Sequence, residues 1–202
     1  MAPPGRGRAE ADDDAPWLVI GLGNPDEEYA GTRHNLGAVV ATRLAERAGA
    51  RLRRSPRTRA LVAEVRDGDQ RLVLARPATY VNESGGPASL LVRYYRTPLE
   101  RLVVVHDEID LAAGKLQVRR GGGTAGHNGL KDVVKALGSP DFVRVRLGVG
   151  RPPGRQDPAD YVLEPIPKRL AEDVGVLVER GADAVLDVVR LPLDRAQDRN
   201  NG

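Results

Sequence analysis

The sequence predicts an α/β fold: a single domain whose mixed, mostly parallel twisted sheet carries helices on both faces. Three observations predict it. Short continuous apolar runs, bounded by Gly, Asn-Pro or charge, alternate with stretches of helical period, as buried strands and crossover helices do. One Asp-Gly hairpin interrupts that alternation early. The 202 residues show no internal repeat and no linker, and a chain of that length fits one core.

Each element has its own signal. Trp17 to Gly23 is an apolar run stopped by Gly and by Asn24-Pro25, which predicts a buried strand ending in a turn. From Asn35, Leu36, Val39, Val40 and Leu44 fall on one helical face, with Gly49 as the stop. Arg59 to Arg66 and Arg71 to Arg76 flank Asp67-Gly68-Asp69-Gln70 as a hairpin. Ser84 is the expected N-cap of a helix running to Tyr95. Leu102 to His106 and Val143 to Val149 read as strands. Leu116 to Arg119 is a short strand running into Gly121-Gly122-Gly123. Leu130 to Leu137 reads as a helix, and a long amphipathic helix follows Pro167 to about Leu191, weakened by Gly175 and Gly181. Residues 1–15 are Pro, Gly, Ala and charge and are expected as a disordered tail. The domain then spans 16–192, and 193–202 reads as a polar tail.

Composition excludes several functions. No cysteine is present, so disulfides, thiolate catalysis and cysteine-ligated zinc are ruled out. No apolar run approaches the roughly 20 residues of a membrane helix, and the acidic N-terminus lacks the apolar region of a secretory signal. A cytoplasmic protein with no membrane partner is expected. Net charge is only +3, but its distribution is uneven. Arg43 to Arg59 holds seven arginines against Glu46, and Lys115 to Arg151 holds eight basic residues against Asp132 and Asp141. Such stretches suggest a polyanion footprint. Aromatic residues make up 3% of the chain, too few for a base-stacking sheet.

Several short segments look overdesigned for packing, and most stand at a predicted strand end or helix start, where open α/β sheets bind ligands. His34 precedes a helix, whose positive end keeps the ring neutral and able to take a proton. Asp107 should emerge at the end of its strand and could hold the other ring nitrogen, fixing the tautomer. Asn24, Asn82 and Asn128 carry amides that both donate and accept, although any one of them beside Gly or Pro could be a turn residue. A metal set of His34, His106, Asp107 and Asp110 lacks a recognised ligand spacing. Gly121-x-Gly123-x-x-Gly126 matches the dinucleotide fingerprint, yet an exposed glycine loop beside Arg119, Arg120 and Lys131 could equally cradle phosphates.

Five motifs occur in order: Gly21-Leu-Gly-Asn-Pro25, Glu28-Tyr-Ala-Gly-Thr-Arg-His-Asn35, Tyr80-Val-Asn-Glu-Ser-Gly85, His106-Asp-Glu-Ile-Asp-Leu111 and Gly121-Gly-Gly-Thr-Ala-Gly-His-Asn-Gly-Leu-Lys-Asp132. With them the chain from Trp17 to Leu191 resembles the bacterial-type peptidyl-tRNA hydrolase family. The resemblance implies a single α/β domain and hydrolysis of the ester joining a peptide to the 3′ end of tRNA, so that stranded tRNA is recycled. It implies His34 as the base and Asp107 as its orienting carboxylate. Asn24, Asn82 and Asn128 would contact substrate and the reacting water, with Tyr29 against the terminal nucleotide or peptide and Tyr80 beside them. Arg119, Lys131 and Arg146 match the tRNA-contacting surface. No cofactor, no metal and no obligatory protein partner are implied, and a monomer is expected. Two departures stand out. Tyr80-Val81 replaces the family's frequent Phe-Met, and Thr124-Ala125 replaces His-Gly in the glycine loop.

The expected chemistry is direct attack by water, since no Gly-x-Ser-x-Gly elbow or cysteine offers a nucleophile. Three other readings compete: an NADP-dependent oxidoreductase built on the glycine loop, a non-catalytic RNA-binding module, and a metal-dependent hydrolase.

Overall fold

A computed structural model describes residues 15–202; the expected N-terminal tail, apart from Ala15, lies outside the described residues. One sheet of seven strands has the order β2-β3-β4-β1-β5-β7-β6. The strands are β1 (Trp17–Gly21), β2 (Arg53–Ser55), β3 (Ala60–Asp67), β4 (Gln70–Pro77), β5 (Leu102–Glu108), β6 (Leu116–Arg120) and β7 (Val143–Gly148). The helices are α1 (Leu36–Arg47), α2 (Gly85–Tyr95), α3 (Asn128–Leu137), α4 (Pro158–Leu163), α5 (Ala171–Arg190) and α6 (Leu193–Asn200).

Successive side chains of a strand point to opposite faces, and both faces of the central strands are apolar. Val19, Val103, Val105, Val145 and Leu147 pack under α1, α5 and α6. Leu18, Ile20, Leu102 and Val104 pack under α2 and α3. This two-sided burial is why β1 and β5 read as unbroken apolar runs.

Parallel pairing is confined to the centre, β4-β1-β5-β7, and both flanks are antiparallel. Connection length explains the flanks, because a parallel crossover takes about a dozen residues or more. The β3–β4 turn is Gly68-Asp69, and only residues 109–115 link β5 to β6, so β6 runs back against β7. The Arg-rich β2 was not legible as a strand, being three residues with no apolar side chain.

Three further differences have local causes. Ser84 is the residue before α2 as expected, but its hydroxyl donates to Val81 O at 2.7 Å, and the first helical N–H, of Gly85, donates to Asp132 of α3 at 2.7 Å. Gly175 and Gly181 leave α5 unbroken, because the buried face from Leu177 to Val189 holds the helix against the sheet. Residues 193–202, expected as a polar tail, form α6, which buries Ala196 and docks on β6. Asn201 accepts from Val118 N at 2.7 Å and donates to Val118 O at 3.1 Å, occupying main-chain groups on the outer edge of the sheet.

The start of α1 lies backbone against backbone on the ends of β1 and β5. A Cβ on Gly37 would stand 2.2 Å from Val105 O, and one on Gly21 would stand 2.1 Å from Gly37 O. Only glycine allows this approach, and it brings the turn before α1, with His34, to the carboxyl end of the sheet. Among the described residues no helix is long and apolar enough to cross a membrane.

Candidate active site

A cavity of about 530 Å³ opens at that sheet end, between the ends of β1 and β5, the segment after β4, the start of α3, and α4. His34, Asp107, Asn24, Asn82, Asn128, Tyr29 and Tyr80 all line it. The sequence-predicted substrate-side residues, scattered over more than a hundred positions, are thus brought to one place.

Asp107 lies deeper than expected. β5 continues through Glu108 instead of stopping at His106, so Asp107 is a strand residue, 3% exposed. Its carboxylate meets two imidazoles. His34 Nδ1 lies 2.9 Å from Oδ1 and 3.1 Å from Oδ2, and His127 Nε2 lies 3.0 Å from Oδ1. Burial alone would raise the Asp107 carboxyl; the two imidazoles outweigh it and hold the group well below the usual carboxylate range.

The tautomers follow from the partners. His127 is the N-cap of α3, and its Nδ1 accepts from Leu130 N at 3.1 Å. A ring nitrogen that accepts carries no proton, so the His127 proton sits on Nε2 and points at Asp107. His34 likewise donates from Nδ1, which leaves its Nε2 as the lone pair available to the cavity. His127 was not among the residues expected to function. Its signal lay in the count, since it is one of three histidines in the chain and the other two fall in motifs around the same sheet end.

The third, His106, stacks edge-on against His127 at 5.1 Å between ring centroids. Its Nδ1 donates to Asp107 O at 2.7 Å, and its buried Nε2 has no partner among the described residues. Burial first, and His127 beside it second, push its pKa down to about 3. The unfolded chain takes this proton near the ordinary histidine value of about 6.5, so between these values the unfolded state binds more protons. Stability is therefore full above about pH 6.5 and falls as pH drops, by at most about 1.4 kcal/mol per pH unit from this group. In urea unfolding between pH 6.5 and 4.5, above the range where Asp107 is protonated, His106→Asn should show a shallower loss than wild type. Parallel curves would mean that the His106 ring carries no such penalty.

Asn24 is held on three sides. Its backbone N–H donates to Asn35 Oδ1 at 2.8 Å, its carbonyl accepts from Asn35 Nδ2 at 3.0 Å, and its side-chain oxygen accepts from Val81 N at 2.8 Å. The oxygen being engaged, the NH₂ end is left to donate into the cavity. Asn35, the residue after the candidate base, is therefore a clamp on Asn24, a role its sequence position did not reveal. Asn82 and Asn128 are exposed at the cavity rim. Tyr80 is 47% exposed and donates to Asp26 at 2.5 Å, so its hydroxyl ties the loop after β4 to the loop after β1.

The expected tRNA-contacting residues separate. Arg119 and Lys131 are exposed near the glycine loop, whereas the Arg146 side chain is 16% exposed and bound to buried Glu108 at 2.8 Å. Arg144, buried beneath that loop, donates to the carbonyls of Gly123 and Gly122. The glycine loop follows the antiparallel edge strand β6 and so lacks the parallel strand–helix–strand setting of a dinucleotide site. The metal set considered from sequence does not assemble, because Asp110 is exposed and paired with Arg151. His34, Asp107 and His127 do converge, with donor atoms within 4.8 Å of one another.

Comparison with known proteins gives the family. Residues 18–202 match the family model described as peptidyl-tRNA hydrolase. The chain is 50% identical to the peptidyl-tRNA hydrolase of Frankia alni, covering 93% of this chain and 94% of that one. It is 46% identical to that of Streptomyces avermitilis, covering 95% and 96%. The crystal structure of peptidyl-tRNA hydrolase from Acinetobacter baumannii superposes with a TM-score of 0.87 at 30% identity, over 94% of this chain and 96% of that one. The chain belongs to the peptidyl-tRNA hydrolase family, a family of hydrolases.

Proposed function

We propose that the protein hydrolyses the ester between an N-blocked aminoacyl or peptidyl group and the 3′ end of tRNA, with His34 as general base and without a metal. The observation that carries this reading is the Asp107 carboxylate held between His34 Nδ1 and His127 Nε2, which leaves His34 Nε2 free at a cavity wall. His34 takes a proton from water as the oxygen attacks the ester carbonyl. Asp107 stabilises the imidazolium, and the proton is then delivered to the departing 3′-oxygen. The Asn24 NH₂ group, with Asn82 and Asn128 at the rim, donates to the developing oxyanion and to the first peptide bond. Tyr29 and Tyr80 wall the terminal nucleotide or peptide. A free ammonium would leave the amides unsatisfied, so N-blocked substrates are preferred.

The His127 tautomer supports the metal-free reading. To ligate through Nε2, His127 would need its proton on Nδ1, facing the Leu130 N–H that now donates to it. Arg119 and Lys131 contact phosphates, and Arg146, whose guanidinium is held by Glu108 and Gln117, adds to the tRNA-facing surface less directly. The substrate places the protein with the tRNA pool in the cytoplasm, working as a monomer.

The test is release of the acyl group from N-acetylated aminoacyl-tRNA in the presence of EDTA. Wild-type release under those conditions is the expected result. Loss of release with EDTA, restored by a divalent cation, would sink the metal-free mechanism. Binding without any release would leave an RNA-binding module.

A further inference from the structure

The first basic stretch of the sequence is split by the fold. Arg43 and Arg47 lie on α1 and pair with Glu179 and Asp183 of α5. Arg57 and Arg59, by contrast, project from the turn between β2 and β3 towards α2. Arg57 Nη1 donates to Tyr94 Oη at 3.1 Å, with its guanidinium 5.8 Å from the ring centroid. Arg59 approaches α2 at Gly86, where an added Cβ would stand 3.6 Å from its Nη1. Arg93, exposed on α2, precedes Tyr94 in the chain. None of Arg57, Arg59 and Arg93 has a carboxylate partner among the described residues, whereas Arg43, Arg47, Arg120, Arg151, Arg190 and Arg199 are all ion-paired. Glu64, on the same side of β3, is engaged by Tyr95 at 3.0 Å.

Two features make this more than a solvated face. Tyr94 is 48% exposed in a chain with seven aromatic residues, and it stands edge-on to Tyr95 at 4.9 Å. An open ring beside a guanidinium suits nucleic acid, which offers bases to stack and phosphates to pair. The turn is also tied to the cavity: Ala78 N donates to Arg59 O at 2.9 Å, two residues before Tyr80. Arg59 itself has φ 52°, a left-handed conformation uncommon for a non-glycine residue, so the turn's shape is specified and its side chains are presented from a fixed backbone.

We infer that Arg57, Arg59, Arg93 and Tyr94 form a second RNA-docking surface, which holds the phosphodiester backbone of the tRNA body while the 3′ end occupies the cavity. The occupant follows from charge and place, since a polyanion whose end enters the cavity must lie over its rim. The α2–α3 layer that carries this patch also carries exposed Lys131. The inference rests on the proposed substrate, but its measurement needs no catalysis.

Binding of deacylated tRNA would be followed from 50 to 200 mM salt for wild type, for Arg57→Gln/Arg59→Gln, and for Arg57→Lys/Arg59→Lys. The Gln pair should lower the slope of log affinity against log salt by about 2, roughly one for each phosphate deprived of its cation, and the Lys pair should restore it. Cleavage of an N-acetylated aminoacyl ester on a short single-stranded oligonucleotide should be unchanged in all three. An unchanged slope would overturn the inference and leave the patch for an acidic protein partner or for none. Equal loss on the short substrate would overturn it by making the turn a support of the cavity. Wild type that binds tRNA but cleaves neither ester would count against the proposed reaction alone.

Discussion

His34→Ala lowers kcat on N-acetylated aminoacyl-tRNA by about 10²- to 10⁴-fold, the span general-base catalysis supplies, while tRNA affinity and folded stability hold. The reason is geometric. His34 is 8% exposed, and among the described residues its one polar attachment is to Asp107 through Nδ1. The Nε2 lone pair is the basic site left over at the cavity wall. Removing the ring leaves Asp107 still paired with His127, so the buried carboxylate is not stranded and the fold loses little. Phosphate contacts lie elsewhere and set the affinity. Single-turnover cleavage, with tRNA binding measured on the same samples, checks this. A variant that loses binding in step with cleavage would make His34 a structural residue.

Asp107→Asn produces a second large loss, about 10⁴-fold in kcat by analogy with tautomer inversion at a base–carboxylate pair, and for a different reason. The carboxylate only accepts, and it faces two N–H donors, His34 Nδ1 and His127 Nε2. An amide of the same shape has one accepting oxygen and one donating NH₂. With its oxygen in the Oδ1 place the amide can accept from both imidazoles, but its NH₂ then stands where Oδ2 lies 3.1 Å from the same His34 Nδ1, donor against donor. His127 cannot yield, because its Nδ1 is already committed to Leu130 N. That clash favours the His34 tautomer with its proton on Nε2, which presents an N–H to the water, and the neutral amide no longer stabilises the imidazolium. Raising the pH should not recover the activity, because the amide carries no charge to regain. NMR of the imidazole nitrogens should show His34 protonated on Nε2 in the variant. A variant retaining near-full activity would show that Asp107 does not orient the base.

Much of this site was legible because local chemistry announced it. His34 precedes a helix, Asp107 ends an apolar run, and the asparagines stand beside glycine. The central strands were legible through two-sided burial, and the hairpin through Asp67-Gly68. What stayed hidden depends on distant partners. His127 gains its role only when α3 delivers it to β5, twenty residues away in the chain. Asn35 matters only through Asn24. The antiparallel flanks follow from loop lengths rather than from strand composition. α6 has one buried residue, so no periodicity could separate it from a tail. Charge was the least reliable guide, because the first basic stretch divides, with Arg43 and Arg47 paired to α5 and Arg57 and Arg59 turned towards α2.

The docking of Asn201 on Val118 has a consequence for how the molecule behaves among its own copies. A side-chain amide has the same donor and acceptor as a peptide unit, so Asn201 stands in for one residue of a missing neighbouring strand. It fills the rung at the centre of β6, where an incoming chain would otherwise begin to pair. At the far margin, β2 meets the same hazard differently, with Arg53 and Arg54 both exposed and like charges set against like. One border of the sheet is plugged and the other is repellent, and between them the seven strands are kept from recruiting an eighth.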